Sequence, residues 1–179
     1  MNTPKFAVFV WRVVATHVLT YFVVGLSALF LLDYRELYRD TDLRFIMRPT
    51  DSPIVALGPV LQIVRGLLFG VVLWPFARRL LEPRGALVLW GLLLGLAVLG
   101  TAGPSPGSLE GLVYTTIPLH VQLLGLPEVI VQTGLLAGGV VWWCWHPARW
   151  KDIAAGVGIG LVALMSLLGY LAASEAPLS

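Results

Sequence analysis

The chain has 179 residues, of which 58% are hydrophobic and 12% are charged, and its formal net charge is +2. Its mean hydropathy of +0.84 is far above that of a soluble domain of this length. Composition therefore excludes an ordinary soluble domain, and the small net charge gives no reason to expect a nucleic-acid partner.

Five apolar segments predict transmembrane helices. They cover 7–32, 54–76, 85–102, 122–145 and 153–173. Each has close to the roughly 20 apolar residues that cross a hydrocarbon layer of about 30 Å. We therefore predict an all-α integral membrane protein, a bundle of about five transmembrane helices. Residues 1–179 would form a single transmembrane domain with outer loops at 33–53 and 103–121.

The first apolar segment has two interpretations. Lys5 and Arg12 precede an apolar stretch, as they do in a secretory signal peptide. The stretch is longer than a typical signal-peptide core and ends without a small-residue cleavage pattern, so we predict a retained helix. Thr20 shares one helix face with His17 and Tyr21 by spacing. We interpret His17 either as part of a polar site or as a hydrogen-bonded packing residue.

The loop at 33–53 carries acidic and basic side chains in nearly equal number. It also contains apolar side chains that could anchor it at a membrane surface. These are Leu37, Leu43, Phe45, Ile46 and Met47. The pattern fits either a short amphipathic helix lying on the outer surface or a solvated connection.

Arg65 lies in the middle of the second apolar segment. A charge at the bilayer centre costs roughly 2.5 to 3.5 kcal/mol, so such a residue usually faces a bundle interior and has partners. Gln62 lies one turn earlier, and Glu128 and Gln132 share a face of the fourth segment. We predict a buried polar network in the outer half of the membrane with an Arg65–Glu128 pair, direct or through water. Tyr21 and His17 would complete it, and the alternative is a purely structural ion pair that fixes helix register.

The second and fourth segments resemble each other. PVLQIVRGLLFGVVLW, from Pro59, aligns without a gap on PEVIVQTGLLAGGVVW, from Pro127. This similarity predicts a parallel duplication of a helix-loop-helix unit, as found in transporters. The alternative is that small residues four apart simply allow close helix packing. The pairs with this spacing are Gly66/Gly70, Gly91/Gly95, Gly134/Gly138 and Gly156/Gly160.

The loop at 103–121 is rich in glycine and proline and carries almost no charge. Its run of Pro, Ser, Pro and Gly cannot continue a helix. The loop would be either a lid or re-entrant turn over the bundle, or an ordinary structured connection. Its polar residues of interest are Ser105, Ser108, Glu110, Tyr114 and His120.

The distribution of charge and of aromatic residues predicts the orientation. With the N-terminus inside, the cytoplasmic loops collect basic residues and few acids, which satisfies the positive-inside rule. All seven tryptophans would then lie near the cytoplasmic interface, with most tyrosines on the other side. We predict a multi-pass protein of bacterial plasma-membrane type, with its C-terminus outside.

The single cysteine, Cys144, cannot form an internal disulfide, and no side chains have metal-ligand spacing. We therefore expect no metal site and no cofactor. The expected partners are the lipid bilayer, an anionic or lipid ligand, and another membrane protein or a second copy bound through Gly-xxx-Gly faces.

Three functions fit these features. The first is binding or transport of an anionic or amphiphilic ligand at the Arg65 network. The second is a structural or accessory subunit, in which the same network only fixes the helices. The third is a membrane enzyme acting on a lipid-linked substrate, with Glu110 and His120 as acid/base groups if they come within hydrogen-bond reach. The sequence favours the first and gives no catalytic motif for the third.

Overall fold

The computed structural model describes residues 4–40, 45, 47–98 and 106–175. Within these residues the protein is helical and contains no strand. The helices are α1 (Phe6–Leu31), α2 (Tyr34–Asp40), α3 (Pro53–Ala56), α4 (Gly58–Leu73), α5 (Ala77–Leu80), α6 (Gly85–Val98), α7 (Leu109–Tyr114), α8 (Leu119–Leu124), α9 (Leu126–Trp145) and α10 (Arg149–Glu175).

Four helical stretches are long and apolar enough to cross a membrane. They are Phe6–Leu31, Gly58–Leu80, Leu119–Trp145 and Arg149–Glu175. The segment predicted at 85–102 is described only as the shorter helix Gly85–Val98, and its last residues lie outside the described part of the chain. The all-helical class and the membrane-compatible bundle are thus confirmed, whereas the fifth span stays a prediction.

Proline residues explain where the second segment departs from its predicted bounds. The helix predicted at 54–76 is divided, because α3 ends at Ala56 and α4 starts at Gly58 with Pro59 in its first turn. At its other end a 3₁₀ turn over Trp74–Phe76 continues the helical path into α5. Pro75, inside this turn, has no backbone N–H for an α-helical hydrogen bond.

Helix α1 is the centre of the bundle, and α4 packs against it in the opposite direction. A Cβ added at Gly66 would lie 2.9 Å from the Cα of Val14, and one added at Gly70 would lie 3.0 Å from the Cα of Val10. These contacts confirm that this glycine pair serves close packing. The same contact is absent at Gly91, Gly95, Gly156 and Gly160, where an added Cβ meets no atom within 4 Å in the described residues.

Helix α9 also runs opposite to α1. Gly139 lies against Thr16, and Trp143 lies near Arg12, so residue numbers rise along one helix as they fall along the other. Helices α4 and α9 therefore point in the same direction, as a parallel duplication requires. The duplication itself stays a prediction.

The bundle has two chemically different ends. The tryptophan end, where α1 begins and α9 ends, is held by hydrogen bonds from Trp11 to Asp152 (3.1 Å) and from Trp145 to the Leu81 carbonyl (3.0 Å). Trp90 is the exception to the predicted clustering of tryptophans. Its indole donates to the carbonyl of Ile130, close to the start of α9.

The tyrosine end, where α1 ends and α9 begins, is covered by the two predicted outer loops. The first loop contains α2, consistent with the predicted surface helix, and Asp33 reverses the chain before it with a φ of 45°. The second loop contains α7 and the start of α8, whose Val121 belongs to a small apolar cluster with Tyr38 of α2. The two loops thus pack on each other at this end. Helix α8 continues to Leu124, so the segment predicted at 122–145 begins in α8 and is divided at Gly125 before α9.

Candidate functional site

Arg65 does not form the predicted direct pair with Glu128. Among the described residues the structure contains one ion pair, Arg79 with Glu82. Arg65 is exposed, and its guanidinium lies 5.4 Å from the ring centre of Phe69, one turn further along α4. The physical reason is the rotation of α4, because Gly66 must face α1 and this turns its neighbour Arg65 to the flank of the helix.

Glu128 is bonded instead to Tyr34, whose hydroxyl donates to Oε2 of the carboxylate. Tyr34 stacks on Tyr38 with ring centres 5.2 Å apart and an angle of 12° between the rings. Burial raises the pKa of the Tyr34 phenol, and the hydrogen bond to Glu128 raises it further. Tyr34 therefore stays a proton donor to Glu128 in the physiological pH range.

A pocket of about 360 Å³ lies at this place. Its polar lining consists of Tyr21, Tyr34, Tyr38, Thr50 and Glu128. Its apolar wall comes from Phe22, Leu26, Leu29, Val55, Ala56 and Pro59, with Gly25 and Gly58 between them. The pocket is thus built by α1, α2, α9 and the junction of α3 with α4. We call it the tyrosine-end pocket.

Gly25 leaves room for the carboxylate of Glu128. A Cβ added at Gly25 would lie 3.9 Å from Oε1 of Glu128. This is an ordinary van der Waals distance, so the position accepts a side chain without a clash. A larger side chain there would occupy the pocket.

Two further members of the predicted network, His17 and Gln62, bind each other. His17 Nε2 lies 3.1 Å from Oε1 of Gln62, and the Gln62 amide donates to the carbonyl of Gly58 (3.2 Å). His17 is 1% exposed and packs against Phe69. This geometry is that of the hydrogen-bonded packing residue. Gln132 is half-buried and its side chain makes no hydrogen bond to the described residues.

The polar residues of the second loop do not converge. Ser108 is buried and caps α7, since its hydroxyl accepts from the backbone N–H of Gly111 at 2.9 Å. Tyr114 is 74% exposed, and His120 is exposed and makes no ion pair with Glu110. Ser105 lies outside the described residues. The acid/base arrangement that an enzyme would need is therefore not supported by these positions.

Gln122 is what holds the second loop together. Its amide donates to the carbonyls of Gly111 (3.1 Å) and Ile117 (3.0 Å), which ties α8 to α7. Gln122 also lines a cavity of about 70 Å³, and Tyr34 and Tyr38 line the same cavity. The two stacked tyrosines therefore separate this small cavity from the tyrosine-end pocket.

The tryptophan end contains a buried cation. Arg12 is 6% exposed and lies between Trp143, 6.0 Å from its ring centre, and the thiol of Cys144. No acid forms an ion pair with it in the described residues, and no three His, Cys, Asp or Glu side chains of that part lie close enough to hold a metal ion.

Sequence reasoning placed Glu128 and Tyr21 near each other but missed Tyr34 and Tyr38. A signal was present, because two tyrosines four residues apart lie on the same face of a helix. The predicted surface helix in the first loop therefore already had an aromatic face. The chain matches no protein-family model, no curated protein sequence and no solved structure. The chemistry of the pocket must therefore carry the functional inference.

Proposed function

We propose that this chain is an integral protein of a bacterial-type plasma membrane that binds or transports an amphiphilic ligand in the tyrosine-end pocket. The observation that carries the proposal is the division of the pocket into a polar side, with Glu128, and an apolar side. Its volume of about 360 Å³ falls within the range of small-molecule sites, about 300 to 1,000 Å³.

The apolar side of the pocket is continuous with the outer surface of the bundle. Leu26 and Val55 line the pocket and are also exposed, at 41% and 37%. In a bilayer these side chains face lipid tails, so an acyl chain can enter sideways while its head group reaches Glu128. This geometry suits a ligand that is delivered by the membrane.

Charge supports the predicted orientation. The tryptophan end collects Lys5, Arg12, Arg78, Arg79, Arg84, Arg149 and Lys151. Against these basic residues stand Glu82 and Asp152. By the positive-inside rule this end is cytoplasmic and the tyrosine-end pocket lies in the outer half of the membrane.

Blocking the pocket tests the proposal. We expect Gly25→Leu to fill the pocket, because Gly25 lines it and accepts a Cβ without a clash. The matched control is Gly160→Leu in α10, where an added Cβ meets no atom of the described residues within 4 Å. The measurement is the thermal stabilisation of the purified protein in decyl maltoside by graded concentrations of octyl-chain amphiphiles.

We expect saturable stabilisation of the wild type and of Gly160→Leu, and at least about tenfold weaker binding by Gly25→Leu, which corresponds to about 1.4 kcal/mol. Equal behaviour of both variants, or no saturable effect in the wild type, would disprove ligand binding in this pocket.

A structural or accessory role is the second candidate. The specific observation in its favour is that Tyr34 is hydrogen-bonded to Glu128, and His17 to Gln62, within the protein. A partner would then dock on an open face such as that of Gly91 and Gly95. Such a protein would lose stability on mutation of these pairs and would show no ligand effect in the same experiment.

A further inference from the structure

We infer that the tyrosine-end pocket recognises an ammonium group, so that its ligand is an amphiphile with a positively charged nitrogen in its head group. This inference rests on the proposed function and names the chemical class of its ligand. A positively charged ligand differs from the anionic ligand that the sequence analysis expected at Arg65.

The charge of the pocket favours a cation. Among the described residues that line the pocket Glu128 is the charged one, and it forms no ion pair with any described residue. Its Oε2 accepts the hydrogen bond from Tyr34, whereas Oε1 lies beside the pocket-lining Gly25 and accepts no hydrogen bond from the described residues. Glu128 is half-buried, and a carboxylate partly shielded from water attracts a cation more strongly than one in bulk water. Oε1 is therefore the atom that would meet the ligand's nitrogen.

The aromatic lining also favours a cation. Tyr21 and the stacked pair Tyr34 and Tyr38 line the pocket. The faces of aromatic rings carry partial negative charge and attract ammonium groups within about 6 Å of the ring centre. Aromatic rings around a carboxylate can bind a quaternary or primary ammonium group. The cation is partly dehydrated on binding, and the carboxylate and the ring faces compensate for that loss.

The positions of the described cations also favour a positively charged ligand. Arg65 lies over Phe69 and does not line the pocket, although its charge reaches the lining residue Tyr21. Arg35 lines a neighbouring cavity together with Asp51. An anionic head group in the tyrosine-end pocket would therefore meet Glu128 without a cation among the described lining residues. Charge complementarity favours the ammonium.

The test compares probes with the same chain and different head groups. Octyltrimethylammonium, octylammonium, octyl sulfate and octyl glucoside are titrated against the purified wild type, and binding is measured by thermal stabilisation. Tetramethylammonium, which has no long chain, distinguishes a small ammonium ion from an amphiphile. We expect the two ammonium amphiphiles to bind at least about tenfold more tightly than the sulfate and the glucoside.

Variants assign the effect to the pocket. Glu128→Gln should weaken ammonium binding by at least about tenfold and leave octyl glucoside binding unchanged. Glu110→Gln is the matched control, because Glu110 belongs to the same end of the bundle but does not line the pocket. Tyr38→Leu should weaken ammonium binding and Tyr38→Phe should retain it, since phenylalanine keeps the ring. The tyrosine variants also provide a test if Glu128→Gln does not fold.

The outcomes separate the two proposals. If all octyl probes bind equally and Gly25→Leu abolishes binding, the pocket binds amphiphiles and the ammonium inference is wrong. If the sulfate binds best, the ligand is anionic and the inference is again wrong. If no probe binds saturably, the proposed function fails and the inference fails with it. If tetramethylammonium binds as well as the chain-bearing probes, the alkyl chain contributes nothing, the ligand is a small ammonium ion, and the amphiphile is excluded.

Discussion

At the scale of single residues, the hydrogen bond from Tyr34 to Glu128 is the contact on which the pocket depends. A carboxylate near the hydrocarbon layer is costly unless it is hydrogen-bonded. The Tyr34 hydroxyl supplies that bond, and it also fixes α2 over the end of the bundle. Hydrogen bonds to charged groups contribute about 1.5 to 3 kcal/mol to stability. Tyr34 is therefore expected to stabilise the fold as well as to shape the site.

We predict that Tyr34→Phe lowers the free energy of unfolding by about 1 to 3 kcal/mol, because it removes the donor to Glu128 and keeps the ring. The measurement is thermal or denaturant unfolding of the purified protein in detergent. Tyr114→Phe is the control. Tyr114 is 74% exposed, so its hydroxyl should contribute less than about 0.5 kcal/mol. Equal stability of Tyr34→Phe and the wild type would contradict a structural role for this bond.

At the scale of helices, the packing of α4 on α1 decides which side chains reach the pocket. Gly66 and Gly70 bring the two backbones together, and this contact rotates α4 so that Gln62 meets His17 while Arg65 is turned away. The glycine contact thus sets the polar chemistry of the bundle interior, in addition to holding the helices.

We predict that Gly66→Ala destabilises the bundle by about 1 to 3 kcal/mol, since its Cβ would lie 2.9 Å from the Cα of Val14 and one backbone must move. Gly160→Ala, with open space around its Cβ, should change stability by less than about 1 kcal/mol. Loss of helical circular dichroism during titration with a denaturing detergent measures both variants. Similar unfolding midpoints for the two variants would mean that α1 and α4 do not pack as closely at Gly66 as the 2.9 Å distance indicates.

The same helices show what sequence can predict in this protein. Hydropathy located α1 and α10 to within a few residues, because membrane-length apolar runs have few alternative structures. It could not predict which face of α4 meets α1, so Gly66 and Gly91 looked alike although only Gly66 is in contact. The depth of Arg65 along its helix could be predicted from the sequence, but the direction of its side chain could not. That direction depends on long-range packing.

At the scale of the whole molecule, the number of times the chain crosses between the two ends depends on α6. Helix α6 begins beside the tryptophan end, since Leu81 accepts from Trp145 just before it. Pro106, after α6, lines a cavity with Tyr34 and Gly125 at the tyrosine end. We therefore predict that α6, although Gly85–Val98 has only 14 residues, belongs to a further crossing between the two ends.

Labelling of single cysteines on either side of α6 tests this topology. In a Cys144→Ser background, Glu82→Cys places a thiol at the tryptophan end and Tyr114→Cys places one at the tyrosine end, both at exposed side chains. We expect a membrane-impermeant maleimide to label Tyr114→Cys on intact cells and Glu82→Cys only after lysis, because five crossings put the two positions on opposite sides. The Cys144→Ser protein is the unlabelled control. If both positions react from the same side, α6 does not cross the membrane. The tyrosine-end pocket would then face outward only if the four longer helices alone kept the orientation that the positive-inside rule predicts, with the tryptophan end cytoplasmic.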